Sequence, residues 1–159
     1  MWAYDRKASP RAIQRRVVRD KDSRGGKPAL MAIETLIVDD SDTLRRILAV
    51  RLESMGCRIV AEARSAVEGL ALFRARKPRL VTLDLVMPGS ERFGAQELFT
   101  TIRKESPSTA IVVISTHPRA ANAAHFLAAG AIAYMEKNFM SFDQLAATLK
   151  SVFPELAAF

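Results

Sequence analysis

A chain of 159 residues with 49% apolar side chains has the size of one domain and the composition of an ordinary globular protein, which sets aside disordered and collagen-like classes. No apolar run approaches the roughly 18 residues that cross a bilayer, and the basic N-terminus lacks the apolar stretch of a secretory signal, so a cytoplasmic protein without a membrane span is expected. Cys57 is the single cysteine, which leaves no intramolecular disulfide and no thiolate metal cluster; its expected place is a small buried side chain opening a strand.

The net charge of +7 sits at one end of the chain. Residues 1–30 hold nine of the 24 lysines and arginines and three of the 17 acids, so the remainder, with fifteen basic and fourteen acidic side chains, is nearly neutral. The segment closes in Ser23-Arg24-Gly25-Gly26-Lys27-Pro28, a run of breaker residues, and Met31 opens the rest of the chain as if it began a protein. The expected division is a basic, disordered extension over 1–30 and a folded domain over 31–159. Ile13 and Val17 stand at helical spacing among the arginines and give slight support to a polybasic arm, so nucleic acid or anionic lipid binding is not expected except through this segment.

From Thr35 onward short apolar runs alternate with helical patterns, the signature of parallel βαβ units. Strands are predicted at Thr35–Asp39, Arg58–Glu62, Leu80–Asp84, Ala110–Ser115 and Ala131–Met135, three of them nearly continuous in Leu, Ile and Val as strands buried on both faces require. Leu44, Ile47, Leu48, Leu52 and Met55 recur at helical spacing before Gly56 and define a first helix. Leu70, Leu72 and Phe73 mark a second, ended by Lys77-Pro78. A third runs from Gly94 to Ser106 and stops at Pro107, an Ala-rich fourth from Pro118 to Ala129 stops at Gly130, and a fifth covers Ser141 to Phe153. The fold class is α/β, a doubly wound five-stranded parallel sheet joined by right-handed crossovers.

In such a sheet the binding crevice lies beyond the carboxyl ends of the strands, so the residues at those ends carry the functional signal. The first strand closes in Asp39-Asp40, the third in Asp84 and the fourth in Ser115, and Lys137 comes after the fifth. Three carboxylates gathered at one sheet edge repel one another by several kcal/mol at low effective dielectric and need a cation or a proton to coexist. Oxygen-only ligands, few in number, suit Mg²⁺ or Mn²⁺ rather than zinc.

These residues resemble the response-regulator receiver domains of two-component signalling, over about residues 33 to 153. Leu36-Ile37-Val38-Asp39-Asp40-Ser41 is similar to that family's first strand and acidic pair, and Leu83-Asp84-Leu85-Val86-Met87-Pro88 to its phosphoacceptor strand and Met-Pro turn. Val113-Ile114-Ser115 matches the strand bearing a hydroxyl, and Gly130-Ala131-Ile132-Ala133-Tyr134-Met135-Glu136-Lys137 the Gly-Ala pair, switch aromatic and lysine. The resemblance implies a (βα)5 flavodoxin-like sheet of order 2-1-3-4-5. It implies that Asp40 binds Mg²⁺ directly, Asp39 through water, and Asp84 both as ligand and as nucleophile, with the Val86 carbonyl completing the set. Lys137 is then the partner of Asp84 before reaction and of a phosphoryl oxygen after it. The implied donor is a phosphohistidine of a histidine kinase or phosphotransfer protein. Ser115 and Tyr134 are implied as the switch, Tyr134 turning inward as Ser115 is drawn to the phosphoryl group. The implied output is a downstream protein, or a second copy, at the face of the fourth helix, fifth strand and fifth helix. The protein is thus expected to be a signalling phosphoacceptor that catalyses only its own phosphorylation and slow dephosphorylation.

Four features depart from the family pattern. Asn138 succeeds Lys137 where proline is common; Gly89-Ser90-Glu91-Arg92-Phe93-Gly94 is about two residues longer than the usual link; Thr116 replaces a small residue; His117-Pro118 begins the next loop. Thr116 is expected to restrict the path of attacking water and so to alter the phosphoryl lifetime, whereas His117 and His125 read as loop and helix-surface residues. Two rival readings remain. Asp40-Ser41-Asp42-Thr43-Leu44 resembles the nucleophile loop of haloacid-dehalogenase-like phosphatases, with Asp40 as nucleophile, though no later strand end supplies that family's second acidic cluster. The other is a receiver-like interaction module that is never phosphorylated. Neither GxxxxGK[ST] nor GxGxxG occurs, which argues against P-loop and dinucleotide-binding domains.

Overall fold

Five strands run β1 Ile33–Val38, β2 Cys57–Ala63, β3 Leu80–Asp84, β4 Ala110–Ser115 and β5 Ala133–Glu136, all parallel, in the order β2-β1-β3-β4-β5. Between and after them lie α1 Asp42–Ser54, α2 Ala66–Arg76, α3 Ala95–Glu105, α4 Arg119–Ala128 and α5 Phe142–Val152, with a short 3₁₀ turn at Lys137–Phe139 and another at Pro154–Ala158. The computed structural model describes residues 32–89, 92–116 and 119–158, so the basic extension, Met31, Ser90, Glu91, His117, Pro118 and Phe159 lie outside the described residues.

Each strand alternates its side chains between two apolar layers. Leu36, Val38, Val81, Leu83, Ile111 and Val113 face α2, α3 and α4, meeting Phe73, Leu98, Ile102 and Phe126. Ile33, Ile37, Leu80, Val112 and Ile114 face α1 and α5, meeting Leu48, Leu52, Leu145 and Leu149. The doubly wound reading is thereby found in full, with the sheet covered on both faces. Cys57 opens β2 at 6% exposure, in the place expected of it. Among the described residues no helix is long and apolar enough to cross a membrane.

Local chemistry fixes where the helices begin. Ser41, Ser65 and Ser141 sit in extended backbone at the N-caps of α1, α2 and α5, each accepting from the N–H three residues on, Leu44, Glu68 and Gln144. Gly94 has no side chain to offer at the start of α3; there the Glu97 carboxylate accepts the Gly94 N–H at 2.9 Å. Gly130, at φ +101°, turns the chain out of α4 in a conformation that other residues rarely adopt. The predicted boundaries shift by one or two residues. β1 starts at Ile33 and stops one short of Asp39, and β5 starts at Ala133, because the turn through Gly130 and Ala131 is closed by an Ala131 N–H to Phe126 carbonyl bond before the ladder begins.

Candidate functional site

Sheet register converts strand ends into a cluster. Val38 pairs with Leu83, so the next residues of β1 and β3, Asp39 and Asp84, are neighbours. Asp84 pairs with Ile114, which places Ser115 one step beyond it, and Ser115 pairs with Glu136, one residue before Lys137. Four separated positions in the chain therefore meet at one edge.

Asp39 and Asp84 are each 1% exposed and Ser115 is fully buried, while Asp40 is exposed beside them. Carboxylate oxygens of Asp39, Asp40 and Asp84 all lie within 4.8 Å of one another. The Lys137 Nζ donates to Asp84 Oδ2 at 2.7 Å and stands 2.9 Å from Asp39 Oδ2, so one ammonium serves two buried carboxylates. The second oxygen of each is held by backbone: Asp84 Oδ1 accepts the Val86 N–H at 2.9 Å and Asp39 Oδ1 the Ser41 N–H at 2.8 Å. Burial pushes the Asp84 carboxyl above its usual range, against the pull of Lys137 and the Val86 amide. For Lys137 burial works against the charge, but the bonds to Asp84 and Asp39 outweigh it and raise the ammonium above its usual range. Each group thus answers to burial first and to its partner across the 2.7 Å contact second.

The donor set fits a hard divalent cation. It is all oxygen, it carries more negative charge than its one lysine balances, and its exposed member, Asp40, leaves a way in from solvent. Val86 is 42% exposed on the loop after β3, at the rim. Thr116, exposed, comes directly after Ser115. Tyr134 is 3% exposed, its ring tilted 32° against Phe126 at 6.3 Å, and Phe126 in turn meets Phe99 edge-on at 5.1 Å. The ring that the resemblance turns inward on phosphorylation is thus already inward here. Among the described residues no peptide bond is cis, so Asn138 continues from Lys137 in an ordinary trans turn. His125 lies exposed on α4, a helix-surface residue as expected.

Sequence reasoning missed Arg45. It is 4% exposed, and its guanidinium donates to the Asp39 carbonyl at 2.7 Å, to Glu62 at 3.2 Å and to Asp42. A signal was present: position 45 stands three and seven residues before Leu48 and Leu52, on the buried stripe of α1, where a charge has to find partners.

Fold and site together define a doubly wound α/β domain with an acidic cluster and a lysine at its strand ends. Residues 35–150 match the response regulator receiver domain, and the chain belongs to that family. It is 37% identical over 109 residues to the nitrogen assimilation regulatory protein NtrX of Azorhizobium caulinodans, covering 69% of this chain and 24% of that protein. It is 34% identical over 107 residues to a protein-glutamate methylesterase/protein-glutamine glutaminase of Hahella chejuensis, covering 66% of this chain and 30% of the other. Among solved structures, a LuxR-family two-component response regulator from Aurantimonas sp. SI85-9A1 superposes with a TM-score of 0.67 at 28% identity, covering 80% of this chain and 86% of that one. The chain spans less than a third of the length of the two curated relatives.

Proposed function

We propose that this receiver accepts a phosphoryl group on Asp84 from the phosphohistidine of a histidine kinase or phosphotransfer protein, in a Mg²⁺- or Mn²⁺-dependent reaction. The observation that carries this reading is the single Lys137 ammonium shared by the buried Asp39 and Asp84, with Asp40 exposed beside them. Asp39, Asp40, Asp84 and the Val86 carbonyl would hold the cation, which when bound offsets charge on the transferring group. An O–P bond to Asp84 forms as the donor's P–N bond breaks, and water later cleaves the acyl phosphate. Lys137 keeps Asp84 ionised and aimed until then, and afterwards pairs with a phosphoryl oxygen. Ser115, one register step away, is the hydroxyl that reaches the new group. Because Tyr134 is already packed on Phe126, the switch consists in stabilising that arrangement, and with it one form of the α4, β5 and α5 face, rather than in first burying the ring.

That face is the proposed contact for a downstream protein or a second copy of the chain, and the setting is the cytoplasm. The protein is proposed to catalyse nothing beyond its own phosphorylation and dephosphorylation. Residues 1–30 are proposed to be a separable arm and 31–159 the receiver, so a chain starting at Met31 should be phosphorylated as readily as the whole.

The test is incubation with Mg²⁺ and a small acyl phosphate donor, then peptide mass spectrometry, with Asp84→Asn as control. A base-labile addition at Asp84 that requires the metal is expected. Addition at Asp40 would replace this reading with the phosphatase one, and no addition to a folded protein would leave an unphosphorylated interaction module.

A further inference from the structure

We infer that Arg45 is a positioning residue for the acidic pair: its guanidinium clamps the Asp39–Asp40 peptide, so that Asp40 is presented to a divalent cation by backbone alone. This role rests on the proposed metal-binding reading of the cluster and deepens it.

Asp40 is exposed, so core packing does not set its place. What sets it is the hydrogen bonding of the two peptides that flank it. The peptide before Asp40 is held at its oxygen by Arg45 Nη1 at 2.7 Å, and the peptide after it at its nitrogen by Asp39 Oδ1 at 2.8 Å. Asp39 itself is anchored by its N–H to the Ala63 carbonyl at 3.0 Å. Arg45 is anchored in turn. Its Nε donates to Glu62 on β2 at 3.2 Å and its Nη2 to Asp42 at the start of α1, while Arg64 stands 3.3 Å from the same Asp42 oxygen. One planar fork therefore ties the end of β1 to the end of β2 and the first turn of α1.

The charges matter as much as the geometry. Asp42 and Glu62 balance Arg45 and Arg64, so the buried guanidinium is neutralised by carboxylates outside the triad. Asp42, the carboxylate nearest in sequence to the acidic pair, is at the same time held by two arginines and kept out of the cation's ligand set. A lysine in this position keeps the charge but has no flat fork with which to reach three acceptors.

The test measures Mn²⁺ bound to the chain by electron paramagnetic resonance of the free ion, with Mg²⁺ competition, well below each variant's unfolding midpoint. Arg45→Lys keeps the charge and loses the clamp, and Mn²⁺ binding is expected to weaken about tenfold, a modest coupling by the usual scale of outer-shell substitutions at metal sites. Arg46→Gln, one residue on and exposed, removes a charge and keeps the clamp, and binding should stay within about twofold. A merely structural Arg45 would lower the unfolding midpoint and leave Mn²⁺ affinity of the folded protein alone; that result overturns the inference, as does an equal loss in Arg46→Gln. If Arg45→Lys does not fold, the unmodified chain decides by NMR. Arg45 guanidinium protons protected from exchange before any metal is added support pre-organisation, and protons that become protected only with metal refute it. Absence of Mn²⁺ binding by the unmodified chain would instead count against the metal reading itself.

Discussion

Lys137 holds two buried carboxylates with one ammonium, and that ratio sets what its loss does. In Lys137→Met, Asp39 and Asp84 face each other without a cation, and stability should fall by about 3 kcal/mol when no divalent ion is present. Saturating Mg²⁺ should return much of that loss in urea titrations, and a loss indifferent to Mg²⁺ would separate the lysine from the cation site. Thr82 presents the opposite case: its Oγ1 is the buried side-chain oxygen without a partner among the described residues, inside β3 at 1% exposure. Thr82→Val keeps the shape and removes the unpaired hydroxyl, so a gain of up to about 1 kcal/mol is expected, and a clear loss in the same titration would count against the unpaired assignment. Thr116 is exposed immediately after Ser115, and Thr116→Ala should shorten the acyl phosphate lifetime several-fold; dephosphorylation kinetics unchanged from the parent would show that this side chain does not obstruct water. At this scale the acidic residues and Lys137 were legible because strand ends announce themselves in the sequence. Arg45 was not, since the partners that explain its burial include Glu62, 17 residues away on another strand.

Three of the helices, α1, α2 and α5, start at serine caps, and α2 owes its seat to a small residue. Gly69 in α2 is the tightest seat: a Cβ there would lie 2.9 Å from Leu98 and 3.2 Å from Val38, side chains 0% and 1% exposed that have nowhere to move. Gly69→Ala should therefore destabilise by roughly 1 to 3 kcal/mol by overpacking, despite the better helix propensity of alanine. A stabilised variant in thermal unfolding would mean that α2 can lift off the sheet cheaply. Element types and order could be read from periodicity because parallel strands buried on both faces are nearly continuous apolar runs, as in Ile111–Ile114. The edges were less legible. The start of β5 depends on how Gly130 and Ala131 close the turn out of α4, a local bond that apolar periodicity does not register, and the start of β1 on pairing with Cys57, which is distant in sequence.

For the molecule as a whole, every proposed reactive group lies at the carboxyl end of the sheet, and the opposite end is braced by Arg79, which pairs with Glu155 at 2.6 Å and lies over the Phe153 ring at 5.1 Å. A cation bound by the native cluster and not by the unfolded chain should raise stability by mass action, about 2.7 kcal/mol at a hundred times its dissociation constant. The upward shift of the unfolding midpoint with Mg²⁺ should largely vanish in Asp40→Asn, and a shift that persists would place the ion elsewhere. The burial of Tyr134 against Phe126 has a practical consequence. The chain's single tryptophan, Trp2, and its other tyrosine, Tyr4, both stand in the first 30 residues. A chain that starts at Met31 would contain no indole and one phenol, placed where β5 meets α4. Its tyrosine-band emission would come from that one ring, giving the receiver a native optical gauge of its proposed output face that needs no label.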